Sequence, residues 1–519
     1  MAPPVFAPPV AGQTQPTTSG PSRQSPVLAA TAVVCLLAAA TAVFALTVKS
    51  YWHGKPPADG AAQQADTTAA DETASEPKPE QQATGPVGHP PETAGGSPFG
   101  SRPVAKDGRS SAPDPGVLLA SSMPKVDEAT FGLYSLRTRP DRTAWVAEFG
   151  GTPASEKAVD GGLAWLARHQ APDGSWSRFC LEPGHSDCRC DKDHPCASPG
   201  MLFEMAHTGL ALLAFQAGGH YEFNNNRYSE TVRKGLDWLV DNQRPDGGLI
   251  GSKRTGKRRH FHQQFMYEHG IATFTLAEAC ALERFSGVKR PDDRYERAMA
   301  KALDFIYQMQ HDDGGWRYTD NRKEKSDSSV TGWQVLALKS AEQAGMKPRP
   351  EAVAAAHRFF DDLALPSGET AYVHEGKKLK VNTQATTGVG MLARQFLFHD
   401  RDHPMVHKAA DHLATFAERK WPTTLVEPED ADFYLLYNCT LAMHQNGGEP
   451  WKRWNDHVRD AVVRLQRHDG CMKGSWDPAQ HWGNTGGRIY STALATLTLE
   501  VYYRFAAGEK EPTAGQGKP

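Results

Sequence analysis

From residue 152 onward, apolar residues return at helical spacing. Val159, Leu163, Leu166 and Gln170 fall at i, i+4, i+7 and i+11, which is one stripe of an α-helix. Thr152-Pro153 is a start signal, a cap residue before a proline at the first helical position. "APDG" at Ala171–Gly174 is a stop, because Pro, Asp and Gly favour a tight turn. The same helix, turn and aromatic then recur: "GLAWLARHQAPDGSW" from Gly162, "GLDWLVDNQRPDGGL" from Gly235 and "ALDFIYQMQHDDGGW" from Ala302. Fainter copies are "AHRFFDDLALPSGET" from Ala356, "AADHLATFAERKWP" from Ala409 and "VRDAVVRLQRHDG" from Val458.

A second pattern alternates with the first. "HTGLALLAF" (His207), "EHGIATFTLAEA" (Glu268), "VTGWQVLALKSA" (Val330), "TTGVGMLARQF" (Thr386), "FYLLYNCTLAMHQ" (Phe433) and "RIYSTALATLTLEVYY" (Arg488) are apolar nearly all round. A helix that is apolar on every side is buried, whereas one with a single apolar stripe is partly exposed. Six buried helices alternating with six amphipathic ones predict an all-α fold, an (α/α)6 toroid of two concentric rings. The inner helices are expected to start near residues 207, 269, 331, 387, 434 and 490. A linear solenoid of helix pairs is the rival, but it needs polar end repeats. The last helix here is as apolar as the middle ones, and a closed ring has no ends to cover.

The copies "GLAWLARHQAPDGSW" and "ALDFIYQMQHDDGGW", with the stretched "LQRHDGCMKGSW", resemble the QW repeats of the squalene cyclase and prenyltransferase superfamily. "MYEHGIATFTLAEA", "SVTGWQVLALKSA" and "GGRIYSTALATLTLEVYYR" are similar to segments of its membrane-tethered planctomycete-type members. The resemblance covers about residues 150–506. It implies that Gln170, Gln243, Gln310 and Gln466, with Trp176, Trp316 and Trp476, clamp the ends of outer helices. Leu249 departs from that pattern. The signatures of the well-known activities are missing. The chain has no D-x-D-D acid of class II cyclases, and "EDADF" keeps Asp430 and Asp432 but has Phe433 at the last place. Cys280 and Cys439 lack the local pattern of a prenyltransferase zinc set, and no Cys-Gly-Glu-Gln thioester string occurs.

Thr208, His269, Thr331 and Thr387 each precede a glycine that opens an apolar run, with Ser491 and Thr492 in a comparable place. Helix capping explains the hydroxyl residues. His207, Tyr267, Glu268, His269, Asp432, Tyr434, Arg488 and Tyr490 exceed what capping needs. A closed ring would bring the starts of the inner helices to one mouth. His207, Glu268, His269, Asp432, Tyr434, Arg488 and Tyr490 are therefore the candidate site for acid–base work, and the helix dipoles there favour an anionic group.

Outside the repeats, Val27–Val48 carries no charge and is long enough to cross a bilayer. It reads as a single-pass anchor, with a long signal peptide as the rival. Residues 1–26 form a tail. Residues 49–123, rich in Pro, Ala and Gly, bury too little apolar surface to fold and form a disordered linker. Ordered sequence is expected over 124–506, with a tail at 507–519. The loop "CLEPGHSDCRCDKDHPC" concentrates Cys180, Cys188, Cys190 and Cys196. Disulfides fit it outside the cytoplasm and a structural zinc fits it inside, either way as a staple. The long tether and clustered cysteines favour an extracytoplasmic domain, partnered with the membrane through the anchor. No other cofactor is implied. The net charge of −3, from 57 basic and 60 acidic residues, gives no global attraction to nucleic acid. Two functions stay open: a membrane-tethered enzyme acting on an isoprenoid or an anionic or sugar-like ligand in the central cavity, or a non-catalytic module that binds a small molecule or protein.

Overall fold

A computed structural model describes residues 134–178, 196, 200–251, 264–375, 378–381, 383–421 and 427–505. The expected tails, the apolar segment 27–48, the linker 49–123, residues 124–133 and Cys180, Cys188 and Cys190 lie outside them. Among the described residues, no helix is long and apolar enough to cross a membrane.

A short helix, α1 (Arg142–Glu148), leads into six helix pairs. The outer members are α2 (Pro153–Arg168), α4 (Ser229–Asp241), α6 (Arg294–Met309), α8 (Pro350–Asp362), α10 (Pro404–Lys420) and α12 (Gly448–Arg464). The inner members are α3 (Glu204–Ala217), α5 (Phe265–Ser286), α7 (Ser328–Gln343), α9 (Ala385–Leu392), α11 (Phe433–Asn446) and α13 (Gln480–Leu499). A short hairpin, β1 (Val373–Glu375) with β2 (Lys378–Lys380), precedes α9. The final turn is α14 (Val501–Arg504). Every residue of α3 and α9 is buried, as is every residue of α11 down to Gln445, as their all-round apolar pattern predicts.

The inner helices pack in chain order, α3 on α5, α5 on α7, α7 on α9, α9 on α11 and α11 on α13, and α13 then packs back on α3. This is a closed ring rather than an open superhelix. The repeated glutamines explain how neighbouring pairs are joined. Gln170 Nε2 donates to Gly174 O in its own turn and to Thr231 O of α4, both at 2.9 Å. Gln243 reaches Ala298 O of α6 at 2.8 Å, and Gln310 reaches Ala352 O of α8 at 3.0 Å. Gln466, from the last repeat, reaches Ala158 O of α2 at 2.7 Å, so one device also closes the circle. The tryptophans hold each turn to its helix: Trp176, Trp316 and Trp476 each donate Nε1–H at 2.8 Å to a carbonyl near the helix end.

The turn glycine is set by the same contact. Gly474 has φ +95°, and a Cβ there would lie 2.2 Å from Gly161 O of α2. Left-handed backbone costs a side-chain-bearing residue about 1–2 kcal/mol even without a clash. Gly474→Ala is therefore expected to destabilise the domain by about 2–4 kcal/mol, read by thermal or urea unfolding. An unchanged melting temperature would show that the closing turn is not under this constraint.

The Thr residues before the glycines are not caps. The helices that carry Thr208, Thr331 and Thr387 begin at Glu204, Ser328 and Ala385, upstream of these hydroxyls, which therefore sit inside them. Thr208 Oγ1 accepts the Trp176 N–H at 2.9 Å, Thr331 that of Trp316 at 2.9 Å and Thr492 that of Trp476 at 3.2 Å. Thr387 does the same for Thr370 at 3.2 Å.

One end of the ring is plugged by both ends of the domain. Arg137, just before α1, donates Nε–H to Arg504 O at 2.8 Å and Nη1–H to Gln216 O at 3.2 Å, and pairs with Glu278 of α5. Arg504 lies 3.6 Å from the other Glu278 oxygen and donates to Tyr437 OH at 3.1 Å. All three charged side chains are fully buried.

Candidate functional site

The N-terminal ends of the inner helices surround a cavity of about 800 Å3. Helical spacing decides which residues face it. Gln264, just before α5, and Tyr267 and Ile271 of α5 line the wall. On the α3 side, Phe203, His207 and Leu210 do so at i, i+4 and i+7. Ser329 and Trp333 come from α7, Asp432, Tyr434 and Leu435 from the start of α11, and Trp482 and Tyr490 from α13. Arg317, Tyr318 and Tyr372 complete one side from the turns before α7 and α9.

Four of the seven candidate residues thus meet: His207, Asp432, Tyr434 and Tyr490. Glu268, His269 and Arg488 do not line the cavity. Glu268 and His269 follow Tyr267 by one and two positions, and each step along a helix turns the side chain by about 100°. Glu268 points into the α3 interface, where Oε2 accepts the Met205 N–H at 3.1 Å, and burial pushes its carboxyl up to about 8. His269 occupies the threonine position of its repeat. Its Nδ1 accepts the Leu249 N–H and its Nε2 donates to Ala302 O, both at 3.1 Å. Burial holds this imidazole down at about 3, so it is neutral. The larger His stands where the turn residue is the smaller Leu249 instead of Trp. Arg488 follows a break in α13 at Gly487 (φ 75°), and it pairs with Asp477 at 2.6 Å and donates to Ser475 Oγ at 3.1 Å.

Asp432 is the sole carboxylate among the described lining residues. It caps α11: Oδ1 accepts the N–H groups of Tyr434 at 3.0 Å and Leu435 at 3.1 Å. Burial raises its pKa above the ordinary Asp value, with those two N–H groups opposing. Burial also lifts the hydroxyls of Tyr434 and Tyr490 well above the usual tyrosine range, and each lies close enough to Asp432 for its charge to add to the shift. His207 Nε2 donates to Gly486 O at 2.8 Å, and burial holds the ring neutral, down at about 4. Its Nδ1 is sealed within the packing.

Arg317, Asp327 and Ser329 carried no periodic signal and were not among the expected residues. The string "KSDSSV" holds one clue, an Asp just before an apolar helix. Asp327 caps α7 through the Val330 N–H at 2.8 Å, and Arg317 Nη1 donates to its Oδ2 at 3.1 Å. Tyr318 and Tyr372 hydrogen-bond to each other beside Arg317. At the floor, the Trp333 ring stacks on Tyr437 at 5.8 Å between centroids.

Among the described residues no group of three or more His, Cys, Asp or Glu side chains could hold a metal. Cys196 is buried, with Sγ 3.2 Å from His169 Nε2. The other three cysteines of its loop lie outside the described residues.

No protein-family profile matches the chain. A squalene–hopene cyclase of Bradyrhizobium diazoefficiens is 25% identical over 202 residues, which is 37% of this chain and 27% of that protein. The match therefore spans about a quarter of the curated relative's length. Among solved structures, an α-1,6-mannanase of Salegentibacter sp. is similar at 11% identity and a TM-score of 0.43, covering 67% of this chain and 99% of that one. A type II terpene cyclase from Scytonema is similar at 12% identity and a TM-score of 0.42, covering 68% and 96%.

Proposed function

We propose that this squalene-cyclase-like toroid binds an isoprenoid in its central cavity and acts on it by protonation from Asp432. One observation carries the reading: the single carboxyl of the described lining, kept protonated more readily by burial, stands at the rim of a cavity whose wall includes nine Phe, Tyr and Trp rings. Protonating an alkene takes an acid that still carries its proton at the working pH and surroundings that tolerate positive charge. Ring faces supply the second through their negative quadrupoles. Hydrolysis of a glycan by the usual route takes two carboxyls across the bond, and the described lining has one. The volume falls within the roughly 300–1,000 Å3 of ordinary ligand pockets. The curated relative's name supports the substrate class, and the apolar segment Val27–Val48 supports a setting beside lipid.

The test uses the full chain in detergent with squalene and geranylgeraniol as probes. Saturable quenching of tryptophan fluorescence and conversion to cyclised products are expected. Trp333→Ala should weaken binding by at least about tenfold, since a buried aromatic anchor at the floor is lost. No saturable binding of either probe refutes the reading. Binding without conversion makes the domain a binding module.

A further inference from the structure

Resting on the isoprenoid reading above, we propose that Tyr267 is the proton acceptor of the cavity, with Ser329 and Asp327 forming a one-way proton wire behind it. The direction of each hydrogen bond follows from what the next group can do. Asp327 is fully buried, and Arg317 holds one of its oxygens at 3.1 Å. A carboxylate paired in this way only accepts. Ser329 Oγ lies 2.6 Å from Asp327 Oδ1, so the single hydroxyl proton of Ser329 is committed there. Tyr267 OH lies 2.6 Å from Ser329 Oγ, which must then accept. The phenol proton therefore points at Ser329, and what remains on the Tyr267 oxygen is a lone pair. Tyr434 OH donates to the Ser329 carbonyl at 3.4 Å and helps fix the serine. Tyr267 and Ser329 line the cavity, whereas Asp327 stands behind them.

The step balances. A C–H bond next to a carbocation breaks, and its electron pair becomes the π bond of a new alkene. The proton passes to Tyr267 oxygen as the phenol proton moves to Ser329 Oγ and the serine proton to Asp327 Oδ1. Asp327 ends neutral, and it has gained one proton for the one that Asp432 gave up. Burial already raises the Asp327 pKa above its ordinary value, which suits a proton sink. Tyr267 is the catalytic residue. Ser329 and Asp327 act through it as positioning residues.

The experiment compares wild type with Tyr267→Phe, Ser329→Ala and Asp327→Asn, each as the full chain with squalene and geranylgeraniol, and reads product identity. A lost acceptor leaves the cation to be captured by water. The ratio of alkene to alcohol products should fall about a hundredfold in Tyr267→Phe, whatever happens to the overall rate. Ser329→Ala and Asp327→Asn should shift the same ratio in the same direction. In wild type the alkene share should fall as pH drops through the Asp327 pKa, because the protonated acid cannot accept. A merely structural role would change rate or stability without moving this ratio. An unchanged ratio in Tyr267→Phe, with conversion still lost in Asp432→Asn, overturns the wire alone. No conversion by wild type overturns the enzymatic reading and the wire with it.

Discussion

Asp432→Asn is expected to cut conversion of an isoprenoid probe by about 10²–10⁴-fold, the usual worth of a positioned general acid, while leaving folding and probe binding nearly intact. The separation is possible because Asp432 has two tasks. Its Oδ1 caps α11 by accepting two N–H groups, and an Asn oxygen does that equally well. Donation of a proton is the task Asn cannot perform. The pH dependence has a definite sign. Burial raises the Asp432 pKa, so the acid form persists above the range of an exposed Asp, and the rate should fall as pH rises through that value. A variant that keeps more than about a tenth of the activity removes Asp432 from the chemistry. A variant that unfolds shows instead that the cap tolerates no change. The measurements are initial rates by gas chromatography and a thermal melt of both proteins.

Glu278→Gln should be the most destabilising polar substitution in the domain, by about 3–5 kcal/mol, because it strands two buried guanidinium groups. Arg137 and Arg504 come from opposite ends of the domain, and both pair with this carboxylate. Nearby Glu500 offers the contrast. It too is fully buried, but neither of its oxygens has a hydrogen-bond partner. Burial raises its pKa well above the ordinary 4.5, against the nearby Arg504, Arg137 and Arg142 charges. The folded state therefore holds a proton that the unfolded chain releases, and stability falls as pH rises from the unfolded pKa towards the folded one. Glu500→Gln should abolish that decline without lowering stability at acidic pH. Urea unfolding of both variants between pH 4 and pH 9 checks the pair of expectations. Equal losses in the two variants would mean that Glu278 acts through shape rather than charge.

The ring was legible because burial leaves a periodic trace. The inner helices lost their polar face altogether, and the outer ones kept one. The roles of the glutamines and tryptophans followed from the resemblance, and the clamp of Gln466 on α2 fits it. Rotation about a helix axis was harder to read. Standing at the expected start of an inner helix made Glu268 and His269 look like site residues, yet a one- or two-residue step from Tyr267 carried them into the packing. Arg488 opens its apolar run just after the Gly486-Gly487 break, but its side chain turns to Asp477 and Ser475 of the preceding turn, a partnership no spacing reveals. The threonines looked like caps because a glycine opening an apolar run follows them, while the true starts lie a few residues upstream. The Tyr267–Ser329–Asp327 line joins residues about sixty apart with no shared spacing, so only the assembled ring brings it together.

A circle differs from a stack in how it can be made. The carbonyl of Ala158 meets its partner, Gln466, only 308 residues later in the chain. On a ribosome adding about 5–20 residues per second, the first pair waits roughly 15–60 s for the last. Through that interval the flank of α2 and α3 that α13 will cover stays open, as does the leading flank of each newly added pair. The nascent domain thus exposes apolar surface until its final helices emerge. A chain that stops before α13 leaves two apolar flanks uncovered, so the ring has no smaller closed version.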